Sequence, residues 1–184
     1  MSLRKVPSPA RLLFSVIYRE DGDFENAVRT IHERIGRIEY ASGPFPFDRT
    51  DYYEREMGAP LYRRFLLAAD DVAREDLVQA KLAAETIEEE FSVDGKRNVN
   101  IDPGLLTDEN VVLATGKNYS HRIYLRDGVF ADLTLVFEKG EYRPLPWTYP
   151  DLASPEIRTF LTMLRTLGQA EKKRGRKGES GGCG

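Results

Sequence analysis

The chain has 184 residues, 41% hydrophobic and 31% charged, with a formal net charge of −3. This composition suits one packed domain, and no apolar run approaches the roughly 20 residues that a membrane helix needs. A single cysteine, Cys183, excludes an internal disulfide or a cysteine metal cluster and points to a cytoplasmic protein.

The N-terminal stretch MSLRKVPSPARLLFSVIYRED is basic and then apolar, in the manner of a signal peptide. Its apolar part is short, ends in Arg19-Glu20-Asp21 and lacks a small-residue cleavage site, so it reads as a first core strand. Residues 1–10 are expected to be a flexible N-terminus, 11–167 a single domain, and 168–184 a disordered basic, Gly-rich tail. From Gly168 on, Lys172, Lys173, Arg174, Arg176 and Lys177 outweigh Glu171 and Glu179 by three charges, which leaves −6 on the body. An acidic body argues against general nucleic-acid binding, because neutralising phosphates takes a basic surface.

Leu12–Tyr18 predicts a strand buried on both faces. Asp23 can cap a helix over Phe24–Ile35, whose apolar face is Phe24, Ala27, Val28, Ile31 and Ile35 and which Gly36 stops. A short strand, Arg37–Tyr40, precedes a Pro-bounded insertion, Gly43–Pro60. Leu61–Leu67 is strand-like. Glu75–Phe91 is a helix with Leu77, Ala80, Ala84, Ile87 and Phe91 on its buried stripe. Asn98–Asp102 is a strand closed by Pro103-Gly104. The order β-α-β-β-α-β is that of a ferredoxin-like core within an α+β fold. Val111–Thr115 fits either strand or helix. An antiparallel β-meander follows: Ser120–Arg126, Val129–Glu138 across an Asp127-Gly128 turn, and Glu141–Leu145. After the aromatic loop Trp147–Asp151, Ser154 caps a C-terminal helix with Pro155 at its first position and Ile157, Phe160, Leu161 and Leu164 inward.

In the strand NVNID, alternation turns Val99 and Ile101 into the core and sets Asn98, Asn100 and Asp102 in a polar row on the other face. Asparagine is disfavoured in strands, so the row is either a ligand-binding wall, with oxygens suited to a divalent cation, or a solvated face ending in a turn. A two-residue Asp127-Gly128 turn places Leu125 opposite Phe130, Ile123 opposite Asp132 and His121 opposite Thr134. His121 and Asp132 are then diagonal neighbours, within reach for a base and its orienting acid or for an ordinary surface pair. Lys117, Arg122 and Lys96 are isolated cations that can meet an anion. In TDYYEREMG, Asp51, Glu54 and Glu56 offer acid/base groups and Tyr52 and Tyr53 a stacking surface; the alternative is a surface turn with Tyr52 or Tyr53 pinned to the core. His32 lies at the edge of a helix stripe and reads as structural. Gly116-Lys117 is no P-loop: Val111 occupies the first glycine position of that motif and Asn118 replaces Ser/Thr.

The blocks PFPFDRTDYYEREMG, NVNIDPGLLT, KNYSHRIYLRDGVFADLTL and PLPWTYPD, in this order, resemble a bacterial domain-of-unknown-function family of about this length. The resemblance spans roughly Arg11 to Leu164 and implies a self-contained domain. Some members carry the label GTP-binding protein. This sequence has neither a P-loop nor an [NT]-K-x-D guanine-reading element, since Gly116 precedes Lys117.

Three functions fit these readings. One is a site for a small anionic or phosphorylated ligand, a nucleotide among them, built from Asn98, Asn100, Lys117, Arg122, Asp51 and Tyr52. A second is a hydrolase-type enzyme with His121 as base or metal ligand and Asp102 or Asp132 as its partner. The third is a protein-interaction module using the aromatic loops around Phe45, Phe47, Tyr52, Trp147 and Tyr149.

Overall fold

Every residue of strand β1, Ala10–Tyr18, is buried. Its two neighbours explain why. Strands β4 (Tyr62–Val72) and β5 (Val99–Leu106) flank it, both antiparallel, and both of its faces are covered. On one face Leu12, Phe14, Val16 and Tyr18 meet helices α1 (Asp21–Arg34) and α3 (Leu77–Glu90), which contribute Phe24, Ala27, Ile31, Leu77, Ala84 and Ile87. On the other face Leu13 packs with Phe65, Leu67 and the Ile157, Leu161 and Leu164 side chains of helix α4 (Pro155–Glu179). Ile17, on that same face, packs with Phe47, Met57 and Leu61. The insertion that supplies Phe47 and Met57 holds a two-residue strand, β3 (Phe45–Pro46), and a single helical turn, α2 (Glu54–Met57). In this computed structural model residues 3–48 and 52–179 are described, with side chains to Glu171.

The fold is α+β, with one large antiparallel sheet and a C-terminal helix. Strand order is β2-β4-β1-β5-β6-β8-β7, with β3 added beside β4 and β9 beside β8. The remaining strands are β2 (Ile38–Ala41), β6 (Asn110–Thr115), β7 (Arg122–Arg126), β8 (Val129–Glu138) and β9 (Glu141–Pro144). Val111–Thr115 is therefore a strand. Helix α4 opens as its sequence suggests, with Ile157 N–H donating to Ser154 Oγ at 3.4 Å, and it continues past Leu167 into the stretch assigned to a tail. Helix α1 starts earlier than expected, with Glu20 rather than Asp23 at its N-cap position.

Two differences from the sequence reading shape the site. First, the β7–β8 hairpin has the expected turn, with Asp127 and Gly128 at φ 53° and 79°, but not the expected register. An irregularity between Tyr124 and Arg126 shifts the ladder by one residue, so Arg122 faces Asp132, Ile123 faces Ala131 and Tyr124 faces Phe130. Such a slip exchanges the faces of all side chains beyond it. His121 lies just before β7 instead of within it.

Second, β5 does not stop at Asp102 but runs through Pro103-Gly104. It pairs with β1 along its whole length, yet meets β6 only through Gly104, Leu105 and Leu106. Beyond that point Ala114 and Thr115 of β6 pair with β8, and the two strands part. Gly104 permits the contact at the apex: a Cβ there would lie 2.6 Å from both Leu113 Cδ2 and the Val112 carbonyl oxygen. Within the gap, the Ile101 N–H donates to a Glu88 carboxylate oxygen from α3 instead of to a strand. Pro103, two residues on, points its nitrogen to the same edge, where a missing N–H costs no ladder bond.

Candidate functional site

A cavity of about 360 Å³ occupies this gap in the sheet. Strand β5 lines it with Asn100 and Asp102, and the end of β6 with Ala114 to Lys117. Helix α3 contributes Lys81, Glu85 and Glu88, the β7–β8 hairpin Arg122 and Asp132, and the insertion Phe47, Tyr52 and Tyr53. Tyr149 and Leu152 complete it from the loop ahead of α4.

The β5 wall is a continuous polar network. Asp102 accepts from Asn100 Nδ2 at 2.8 Å and lies 3.4 Å from Lys81 Nζ. Asn100 in turn accepts from Arg97 Nη1 at 2.9 Å. Arg97 grips Glu56 with two bonds of 2.7 and 2.8 Å and reaches Glu88 at 3.3 Å. Lys81 Nζ also lies 3.6 Å from Glu85. Burial opposes the charge on Lys81, but Asp102, Glu88 and Glu85 outweigh it and hold the ammonium above its ordinary pKa. The Glu88 carboxyl goes up, because burial outweighs Lys81, the Ile101 N–H and Arg97. Glu56 goes down, because the Arg97 guanidinium donates to it. Burial, with Asp102 nearby, also pushes the Tyr53 hydroxyl up, so it is a neutral O–H at ordinary pH.

The opposite wall has a second assembly. Arg122 Nε donates to Asp132 Oδ2 at 2.8 Å, and its Nη1 donates to the Lys117 carbonyl at 3.0 Å. His121 Nε2 lies 3.3 Å from the same Asp132 oxygen. The His121 ring stacks on Trp147, centroids 5.0 Å apart, and Trp147 Nε1 donates to the Leu133 carbonyl. Lys117 Nζ sits 4.1 Å from the centroid of the Tyr52 ring and contacts the Tyr52 hydroxyl.

The structure thus gathers Asn100, Asp102, Lys117, Arg122, Asp132 and Tyr52 around one cavity. His121 stands one layer back, against Asp132, and does not line it. Asn98 precedes β5 and lines a separate cavity of about 340 Å³ with Arg19, Glu54 and Lys96. Asp51 lies outside the described residues. The proposed aromatic patch divides: Phe47 is 3% exposed in the core, whereas Trp147 and Tyr149 are 39% and 48% exposed.

Lys81, Glu85, Glu88 and Arg97 were not anticipated. A signal for two of them exists in α3. Leu77, Lys81, Ala84 and Glu88 recur at the four- and three-residue spacing of a buried stripe, so two charged residues occupy core positions. Among the described residues no three His, Cys, Asp or Glu side chains are grouped to hold a metal ion, and no helix is long and apolar enough to cross a membrane.

A family model described as a domain of unknown function (DUF4416) matches residues 8–167, a span that contains all four sequence blocks. No curated protein and no solved structure matches the chain.

Proposed function

We propose that this protein, which belongs to the DUF4416 family, binds a small ligand carrying an anionic group in the gap between β5 and β6. The observation that carries this reading is the gap itself. Its volume is within the range typical of small-molecule sites, and α3, β5, the end of β6 and the β7–β8 hairpin each line it with charged side chains. Of the cations that line it, Arg63, Lys81, Arg97 and Arg122 each meet a carboxylate, while Lys117 makes no ion pair among the described residues. Lys117 is the anchor for the anionic group, with Arg122 beside it.

Thermal unfolding with a panel of small carboxylates, phosphate monoesters, nucleotides and zwitterions tests the reading. A ligand at about 100 times its dissociation constant adds about 2.7 kcal/mol of stability, or roughly 5–10 °C for a chain of this size. Lys117→Ala should abolish that shift while leaving the unliganded Tm within about 1 °C, since it removes one surface side chain. A full panel without a shift overturns the reading.

A second reading, an acid/base enzyme, is favoured by one observation. The Asp102 carboxylate sits between Lys81 and Asn100, and the neutral Tyr53 hydroxyl lines the same cavity without a hydrogen bond among the described residues. That pairing suits proton transfer to or from a bound ligand. Turnover lost in Asp102→Asn, with ligand affinity retained, would establish it.

The strand order β2-β4-β1-β5, with α1 and α3 on one face, supports a ferredoxin-like core to which β6–β9 and α4 are added. The lone Cys183 supports a cytoplasmic setting.

A further inference from the structure

We infer that the ligand is a small zwitterion of the amino-acid kind. Its single anionic group meets Lys117 at the rim, and its amine meets the carboxylates of Asp132 and Glu85. The inference deepens the proposed function and rests on it.

Charge balance is the first argument. Among the described residues five cations line the cavity, Arg63, Lys81, Arg97, Lys117 and Arg122, against the carboxylates Glu85, Glu88, Asp102 and Asp132. Glu56 and Asp151, paired with Arg97 and Arg63, bring the carboxylates to six, so the assembly carries a formal charge of −1. A phosphate monoester brings about 1.5–2 further negative charges into a partly desolvated space. The assembly would then stand near −3. A zwitterion leaves it at −1, and one with an additional amine brings it to zero.

Unspent hydrogen-bonding capacity is the second. Both partners of Asp132, Arg122 and His121, meet Oδ2, and Oδ1 takes no hydrogen bond among the described residues. Glu85 Oε1 lies 3.6 Å from Lys81 Nζ, and Glu85 Oε2 takes no hydrogen bond among the described residues. These two oxygens are acceptors for an ammonium. Lys117 Nζ, with one bond to Tyr52, keeps N–H donors for a carboxylate. An anion-only ligand would leave Asp132 Oδ1 unmatched, and an amine-only ligand would leave Lys117 unmatched.

The test is calorimetric titration of the full chain with the twenty proteinogenic L-amino acids, with agmatine and cadaverine, and with AMP and inorganic phosphate. The two amines are arginine and lysine without their carboxylates. We expect at least one amino acid to bind, and arginine or lysine to exceed its amine by about 10- to 100-fold, the size of a charge-assisted hydrogen bond. Lys117→Met should erase that preference. Glu85→Gln, at a half-exposed helix position that tolerates change, should weaken the bound amino acid by a similar factor, and Asp132→Asn should do the same. AMP or phosphate binding more tightly than every amino acid would overturn the inference and leave the proposed function standing. Amine and amino acid binding equally, with Lys117→Met silent, would also overturn it. No heat from any probe would overturn both.

Discussion

Gly104→Ala tests the origin of the gap. The new Cβ would sit 2.6 Å from Leu113 Cδ2, 2.6 Å from the Val112 carbonyl oxygen and 3.4 Å from Leu113 Cα. Leu113 can change rotamer, but the Val112 oxygen belongs to the ladder opposite Leu105 and cannot swing away. Relief requires β5 and β6 to separate by about 0.8 Å at the first of their three paired positions, taking an ordinary contact as 3.4 Å. Overpacking of this kind costs about 1–3 kcal/mol. The lower chain entropy of unfolded alanine returns about 0.4–1 kcal/mol. A net loss of about 1–2 kcal/mol lowers Tm by roughly 2–8 °C in a chain of this size. Thermal unfolding by circular dichroism measures it, with Gly168→Ala as the control. Gly168 lies within α4 with nothing within 4 Å of its would-be Cβ, so alanine there should stabilise by about 0.5–1 kcal/mol. If Gly104→Ala unfolds within 1 °C of the wild type, or rises alongside Gly168→Ala, the apex has room for a side chain and glycine does not set where the strands part.

Glu88→Gln should show its effect through pH. Burial raises the Glu88 carboxyl above its unfolded value of about 4.5, so the folded state holds that proton more tightly. The stability this provides is complete below pH 4.5 and is lost as pH climbs through the folded-state value. Glutamine does not titrate, so the Tm difference should move in favour of Glu88→Gln between pH 4 and 7; movement in favour of the wild type would mean that its cation partners outweigh burial. Tyr142→Phe removes a buried hydroxyl that donates to the Thr107 carbonyl at 2.5 Å. It should cost about 1–2 kcal/mol, or roughly 2–8 °C in Tm, and an unchanged Tm would show that the bond contributes nothing net.

The parts of the fold legible in the sequence are those where one local rule acts alone. LLFSVIY reads as a strand because burial on both faces erases alternation, and Val129–Glu138 matches β8 to the residue. Asn100 and Asp102 stood out as polar side chains against strand propensity, and they line the cavity. Where two rules compete, the reading failed. Pro103-Gly104 has the composition of a turn, yet β5 continues through it because the edge that lost its N–H faces a gap. The Asp127-Gly128 turn fixes the hairpin's end but not the irregularity between Tyr124 and Arg126, for which the local sequence carries no turn signal. Lys81 and Glu88 sit in a helix rich in charge, and only their place on its buried stripe sets them apart from its solvated face.

That opening also bears on what the buried charges are for. The side chains of Lys81, Glu88, Arg122 and Asp132 are only 7–10% exposed. Ion pairs so buried contribute little net stability, and apolar replacements of similar volume are often neutral or better. A firmly held pair compensates its desolvation with short, two-pronged bonds, as Arg97 and Glu56 do at 2.7 and 2.8 Å. Lys81 does not: its contacts are 3.4 and 3.6 Å, too long to hold an ammonium firmly. Its remaining N–H capacity, like Asp132 Oδ1 and Lys117 Nζ, lies along one cavity. Loose pairing in a desolvated site is costly for folding and useful for recognition, because a ligand then completes bonds that the protein leaves unfinished. On this argument the double replacement Lys81→Met with Asp102→Leu should keep or raise Tm and eliminate binding. A fall of several degrees would instead assign the pair to the fold.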